Sequence, residues 1–209
     1  KDYAGVGVVF KLITALEGES CDIEGLLANY ADLAAIGTIG DVVPLKGENR
    51  VLVAHGLRHI SNADRIGIKA ILEQAGMDGR RLTAGNISFT IVPRINATGR
   101  IGSSNRSVQL LLSEDAEEAQ RLSSEMCDDN KYRQQLEAQI LAEAVFVIEK
   151  DPTKKFDRVI VVQGRDWHFG VIGIVAARLV EKYGRPCMVV SVTEQEAKGS
   201  GRSIQGFNL

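Results

Sequence analysis

With 209 residues, 44% of them hydrophobic, the chain is long enough to bury a sizeable core and to form one or two domains. A net charge of −2 and a pI near 6.0 exclude a global basic field, so any nucleic-acid contact must come from a local patch. Cys21, Cys127 and Cys187 are odd in number, widely spaced and without a C-x-x-C pair, which excludes a disulfide framework and a cysteine-built zinc site and points to a reducing compartment. No apolar run is long enough to span a membrane, and Lys1-Asp2-Tyr3 opens neither a signal peptide nor a presequence, so a cytoplasmic protein without a membrane partner is expected. The chain lacks an initiator Met and stops at Gly206-Phe-Asn-Leu209, so it reads as a piece of something longer.

Residues 6–16 carry apolar side chains at helical spacing, and residues 23–35 repeat the pattern after Asp22 in a capping position. From Ile36 to Leu45 the composition turns to glycine and β-branched residues, which predicts an extended segment that delivers Asp41 to an edge or cleft. Helical periods return over 48–60 and 66–74, the latter closed by Gly76. The stretch 91–101, IVPRINATGRI, reads as a loop shaped by Pro93 and Gly99, and a short helix follows near 107–112. Residues 114–149 contain neither Gly nor Pro and repeat apolar residues close to every 3.6 positions, which predicts one long helix whose polar waist, 128–133, crosses solvent or a cleft between two bodies. Asp151-Pro152 ends it.

From Phe156 onward strand, helix and strand alternate as in a small α/β unit. The strand VIVVQG, the loop RDWHF, the glycine-opened helix GVIGIVAARLVEKYG, the strand CMVVSV and the tail KGSGRSIQGFNL together have the chemistry of an anion site. In the tail, Lys198 to Ser203 supplies a guanidinium fork, hydroxyls and glycines that let a phosphate approach the backbone. Tight helix–strand packing explains the same glycines. The cationic residues Arg94, Arg100, Arg106, Lys198 and Arg202 stand apart from acidic runs such as 113–118, so a cleft can be positive despite the net charge.

Four motifs in fixed order, DLAAIGTIGDVVPLKGENR, IVPRINATGR, WHFGVIGIVAARL and KGSGRSIQGF, closely resemble the RecJ family of single-strand-specific exonucleases, within the DHH phosphoesterase superfamily. The resemblance covers nearly the whole chain. It implies an α/β protein in three parts: the mostly helical C-terminal portion of a DHH-type domain (1–112), a long connecting helix (113–151) and a truncated DHH-associated α/β domain (152–209) that binds substrate. It implies as activity the manganese- or magnesium-dependent 5′-to-3′ hydrolysis of single-stranded DNA in repair and recombination, with that strand as partner. The alternatives are a non-catalytic nucleic-acid or protein-binding module on the same scaffold, and a DHH phosphodiesterase for oligoribonucleotides or cyclic dinucleotides.

Each candidate side chain carries two readings. Asp41 is a turn residue by composition, whereas the resemblance makes it the last acidic ligand of a two-metal site. The family's Asp-x-Asp and Asp-His-His motifs are absent here, so the chain alone is expected to be inactive. His55 and His59, at i,i+4, have metal-binding spacing but read better as structural residues. Arg94 pairs with a carboxylate or contacts substrate, while Arg100 and Asn96 are assigned to substrate, in a loop that the resemblance places beside the groove between the family's domains. Asn130 and Arg133 share a helix face, solvated or substrate-binding. Trp167 either stacks on a base or fills a core edge, and His168 either donates to a phosphate or caps the loop. Ser200 and Arg202, with the N–H groups opening the Gly170 helix, are expected to hold the strand's terminal phosphate.

Overall fold

A computed structural model describes residues 2–151 and 153–209; Lys1 and the helix-ending Pro152 lie outside the described residues. The chain divides into two compact units, one up to Asn130 and one from Lys131. Among the described residues no helix is long and apolar enough to cross a membrane.

The first unit is helical: α1 (Gly5–Glu17), α2 (Ile23–Gly40), α3 (Gly47–Asn62), α4 (Ile66–Gln74), α5 (Ala84–Asn86), α6 (Val92–Ile101), α7 (Asn105–Leu112) and the first part of α8 (Ala116–Lys150). Asp22 starts α2 by accepting the Gly25 N–H at 3.0 Å, and Gly76, at φ +65°, follows α4 and donates to Glu73 O at 3.0 Å. The core gathers Ile36, Ile39, Ile60, Ile71, Leu110 and Met126 among others. Arg65, at the entry to α4, donates from Nε to Asp32 Oδ2 at 2.7 Å and from Nη2 to Asn29 O at 2.8 Å, tying that entry to the middle of α2.

Two expectations are corrected here. Residues 36–40 are not extended but continue α2, because Ile36 and Ile39 both reach the core. Gly37 and Gly40 serve close packing: a Cβ on Gly37 would stand 2.7 Å from the Val6 methyls, and one on Gly40 would stand 3.3 Å from those of Val92. The stretch 91–101 is likewise helix, not loop. A capping box between Thr83 and Asn86 opens α5, and a π turn over Ile87–Ile91 leads into α6, with Val92 N–H reaching back to Ile87 O. The wider turn accommodates Pro93, which has no N–H to give an α-helical ladder.

In the second unit the rest of α8 accompanies β1 (Ile160–Arg165), α9 (Phe169–Tyr183), β2 (Cys187–Val192) and β3 (Ala197–Arg202). The sheet order is β1-β2-β3, with β1 parallel to β2 from Ile160↔Cys187 to Arg165↔Val192. β3 is antiparallel to β2, Cys187 opposite Arg202 and Val192 opposite Ala197. The run KGSGR of the tail is therefore strand, lying beside β2. Ile160, Val162, Cys187 and Val189 are buried on one face together with Val171, Val175 and Leu179 of α9.

Gly56 marks the tightest approach of α2 and α3, where an added Cβ would strike the Ala31 carbonyl oxygen and the Ala35 methyl. Backbone cannot yield as a flexible side chain does, so Gly56→Ala is expected to destabilise the first unit by about 1–3 kcal/mol or more. A lowered urea midpoint by helical circular dichroism checks this.

Candidate phosphate-binding site

Strand alternation sends Lys198, Ser200 and Arg202 to one face of β3, and that face meets α9. Lys198 Nζ lies 4.6 Å from the centroid of the Phe169 ring, in the first turn of α9, and 2.7 Å from Glu196 Oε1. One turn on, α9 presents Gly173, where a Cβ would come within 3.0 Å of Ser200 Oγ and 3.3 Å of an Arg202 guanidinium nitrogen. Gly173 thus lets hydroxyl and guanidinium reach the helix. Arg202 starts from the far end of the strand, opposite Cys187, and folds back so that Nη1 donates to Ser200 Oγ at 3.3 Å and to Gly201 O at 2.7 Å. Arg202 is exposed and Ser200 half-buried.

His168 caps α9, its Nδ1 accepting the Gly170 N–H at 3.1 Å. An acceptor Nδ1 requires the neutral tautomer with the proton on Nε2, which makes Nε2–H a donor. The first turn of α9 is thus partly capped from within the chain. Trp167 does not stack on a base here: it is 5% exposed, and its ring occupies the space a Cβ on Gly164 would take. Its Nε1 donates to Glu143 Oε2 of α8 at 2.7 Å, and this bond holds the Glu143 carboxyl below its ordinary pKa.

In the first unit Asp41 is the exposed C-cap of α2, and it lines a cavity of about 460 Å³ together with Gly37, Gly40, Val92, Ile95 and Asn96. The helical turn of α6 brings Asn96 there, while Arg100 sits exposed one turn later. Val42, beside Asp41, holds φ at +56°, a costly conformation for a β-branched residue. Arg94 is occupied with Thr90 O at 2.6 Å and Cys127 Sγ at 3.2 Å, and Arg106 with Asp129 and, at 3.1 Å, Glu125. His59 contacts Asp64 at 2.7 Å, which supports the structural reading of that histidine. The polar waist of α8 is not uniformly solvated: Asn130 is 5% exposed, and Arg133 donates to Glu137 at 2.6 Å.

A DHHA1 domain model matches residues 156–209, the segment that carries the α9–β3 site. The single-stranded-DNA-specific exonuclease RecJ of Bacillus subtilis is 42% identical over 211 residues, covering 100% of this chain and 26% of that relative. Its counterpart in Thermus thermophilus is 40% identical over 200 residues, covering 96% of this chain and 28% of the relative. The crystal structure of the Thermus RecJ in complex with Mg²⁺ superposes at a TM-score of 0.74 with 40% identity, over 86% of this chain and 27% of that one. This chain belongs to the RecJ family. It spans about a quarter to two fifths of the length of the RecJ relatives it matches.

Solved RecJ structures hold Mg²⁺ or Mn²⁺, but among the described residues here no group of three His, Cys, Asp or Glu side chains could hold a metal ion. Asp41 and Asn96 share a cavity, and one carboxylate with one carboxamide does not make a divalent site. The residues present do not fit the ion by themselves. Two contributors escaped the sequence reading, Gly173 and Phe169; the alternation of Lys198, Ser200 and Arg202 with glycines was the signal for the face they meet.

A carboxylate with a depressed folded-state pKa stabilises above its unfolded pKa and loses that contribution as pH falls through the folded one. Glu143→Gln is therefore expected to lower the stability of the second unit at neutral pH, with the difference from the parent vanishing in the acid range below the carboxylate pKa. Fluorescence of Trp167, the single tryptophan, reports this directly in denaturation series at several pH values.

Proposed function

We propose that this chain recognises the terminal 5′ phosphate of a single DNA strand through Ser200 and Arg202, with Lys198 and His168 at the opening of α9. The setting is an enzyme that hydrolyses single-stranded DNA from that end with manganese or magnesium. The observation that carries the reading is the bare Cα of Gly173, which lets Ser200 Oγ and the Arg202 guanidinium sit together against the helix. A hydroxyl and a planar fork on an exposed strand suit a terminal dianion, which offers more acceptor oxygens and more charge than a diester. The RecJ names of the relatives, all single-stranded-DNA-specific exonucleases, and the Mg²⁺ and Mn²⁺ in the solved neighbours support the substrate and the ions. Asn96, Arg100, Asn130 and Arg133 are assigned to the strand behind its end, and Asp41 to the metals.

In the full-length protein, Arg202→Ala is expected to weaken binding of a 5′-phosphorylated strand by about 1.5–3 kcal/mol, roughly ten- to a hundredfold, with little effect on a strand lacking that phosphate. Fluorescence anisotropy with the two strands separates the outcomes. Equal losses would make Arg202 a general backbone contact, and no loss would leave the α9–β3 contact as packing alone.

The 209-residue chain by itself is expected not to degrade DNA when supplied with manganese, since Asp41 is the one side chain in it matched to a family metal ligand. Nucleolysis by the purified chain would overturn the assignment of Asp41 as one ligand of a larger set.

A further inference from the structure

The first unit contains a cavity of about 650 Å³ between α3 and the loop that follows α4, lined by Leu57, Arg58, Ser61, Arg80, Arg81 and Leu82 among others, with no carboxylate in its wall. All three arginines are exposed, and among the described residues none of them has a hydrogen-bond or ion-pair partner. Elsewhere the chain spends arginines on carboxylates: Arg65 on Asp32, Arg106 on Glu125 and Asp129, Arg121 on Glu125, and Arg133 and Arg178 on Glu137. In a protein of net charge −2, acids to neutralise the trio are plentiful, yet none is placed there.

The arrangement is held, not floppy. Ser61 Oγ donates to Leu57 O at 2.7 Å and accepts the Leu82 N–H at 3.1 Å, fixing the loop's end to α3, and Leu82 is 5% exposed. Gly76 and Gly79, at φ +65° and +66°, turn the loop, and Met77 N–H anchors it to Leu72 O at 2.9 Å. Like charges fixed side by side repel, and a polyanion passing between them relieves that repulsion.

We propose that Arg58, Arg80 and Arg81 form a second anion cleft, which takes the phosphodiester backbone of the single strand away from its terminal phosphate. The identity of the strand rests on the function proposed above. Guanidinium forks match phosphate oxygens, and a polar, open, carboxylate-free wall suits a backbone that carries no sequence information.

The test measures Kd of the full-length protein for an oligothymidylate lacking a 5′ phosphate, across a salt series, with the Arg58→Ala/Arg80→Ala/Arg81→Ala variant beside the parent. Each phosphate neutralised on a single strand contributes about 0.7 to the salt slope, so the variant is expected to lose about 1–2 from it and to bind roughly tenfold more weakly at low salt. The corresponding triple lysine variant keeps the charge and is expected to retain most of the slope, and the thermal midpoint of the alanine variant should not fall. Unchanged affinity and slope would overturn the cleft. So would a variant that loses binding of oligoglutamate while holding the strand as before, since the occupant would then be an acidic peptide. Arg202→Ala, by contrast, should act only on the phosphorylated strand, so the cleft and the terminal site fail separately.

Discussion

The seating of Trp167 fixes the second unit. Its ring lies where Gly164 has no side chain, and its Nε1 is satisfied by Glu143, so a large aromatic is buried without an orphaned donor. The turn from β1 to α9 passes through Asp166 at φ +55°, a conformation that needs outside support. With Trp167 tied to α8 on one side and packed on β1 on the other, His168 is left where its Nδ1 can cap α9. The start of α9 then follows, and with it the place where Gly173 meets β3. The face of β3 that carries Ser200 and Arg202 thereby inherits its placement from a buried indole.

Charge is sorted in this chain by partnership. Glu137, only 13% exposed at its side chain, accepts from Arg133 on its own helix and from Arg178 on α9, locking two elements of the second unit together. Asp32, 6% exposed, does the same for Arg65 in the first unit. Such buried or half-buried guanidinium–carboxylate pairs are structural, because removal of either partner strands a charge in low dielectric. Arg202 instead bonds a hydroxyl and a carbonyl, neutral acceptors that orient the guanidinium without cancelling its charge. A near-neutral protein can therefore keep local positive potential where it is oriented for use.

Periodicity made much of the fold legible. Residues 66–74 and the long run that became α8 declare themselves by apolar spacing, and β1 and β2 by short β-branched runs. Gly37, Gly40 and Pro93 misled, because a breaker in sequence can be a packing device in space: the glycines admit Val6 and Val92, and a π turn receives the proline. Nothing local distinguishes those uses. The same limit applies to Trp167, whose partner lies 24 residues upstream, and to Gly173, whose role depends on the register of β3 against β2. Ser200 and Arg202 stand out in the sequence because composition alone carries the donors; the Gly173 contact that brings them against α9 does not.

Two helix ends carry opposite polarity, and each is decorated in the sense that strengthens it. At the C-terminus of α2, where the helix dipole is negative, stands Asp41, a carboxylate that is unfavourable there unless a cation answers it. The turn beyond is held in spite of the strained Val42, since Asn49, 3% exposed, donates from Nδ2 to Pro44 O at 3.1 Å and to Asp2 O at 2.7 Å. At the N-terminus of α9, where the dipole is positive, Lys198 stands over Phe169, with Arg202 one turn further along. The helix dipole by itself would favour the opposite sign of charge at each of these ends. At the α9 end the ammonium of Lys198 is answered by Glu196 at 2.7 Å, so the unfavourable sign is offset there by a carboxylate from the same strand region.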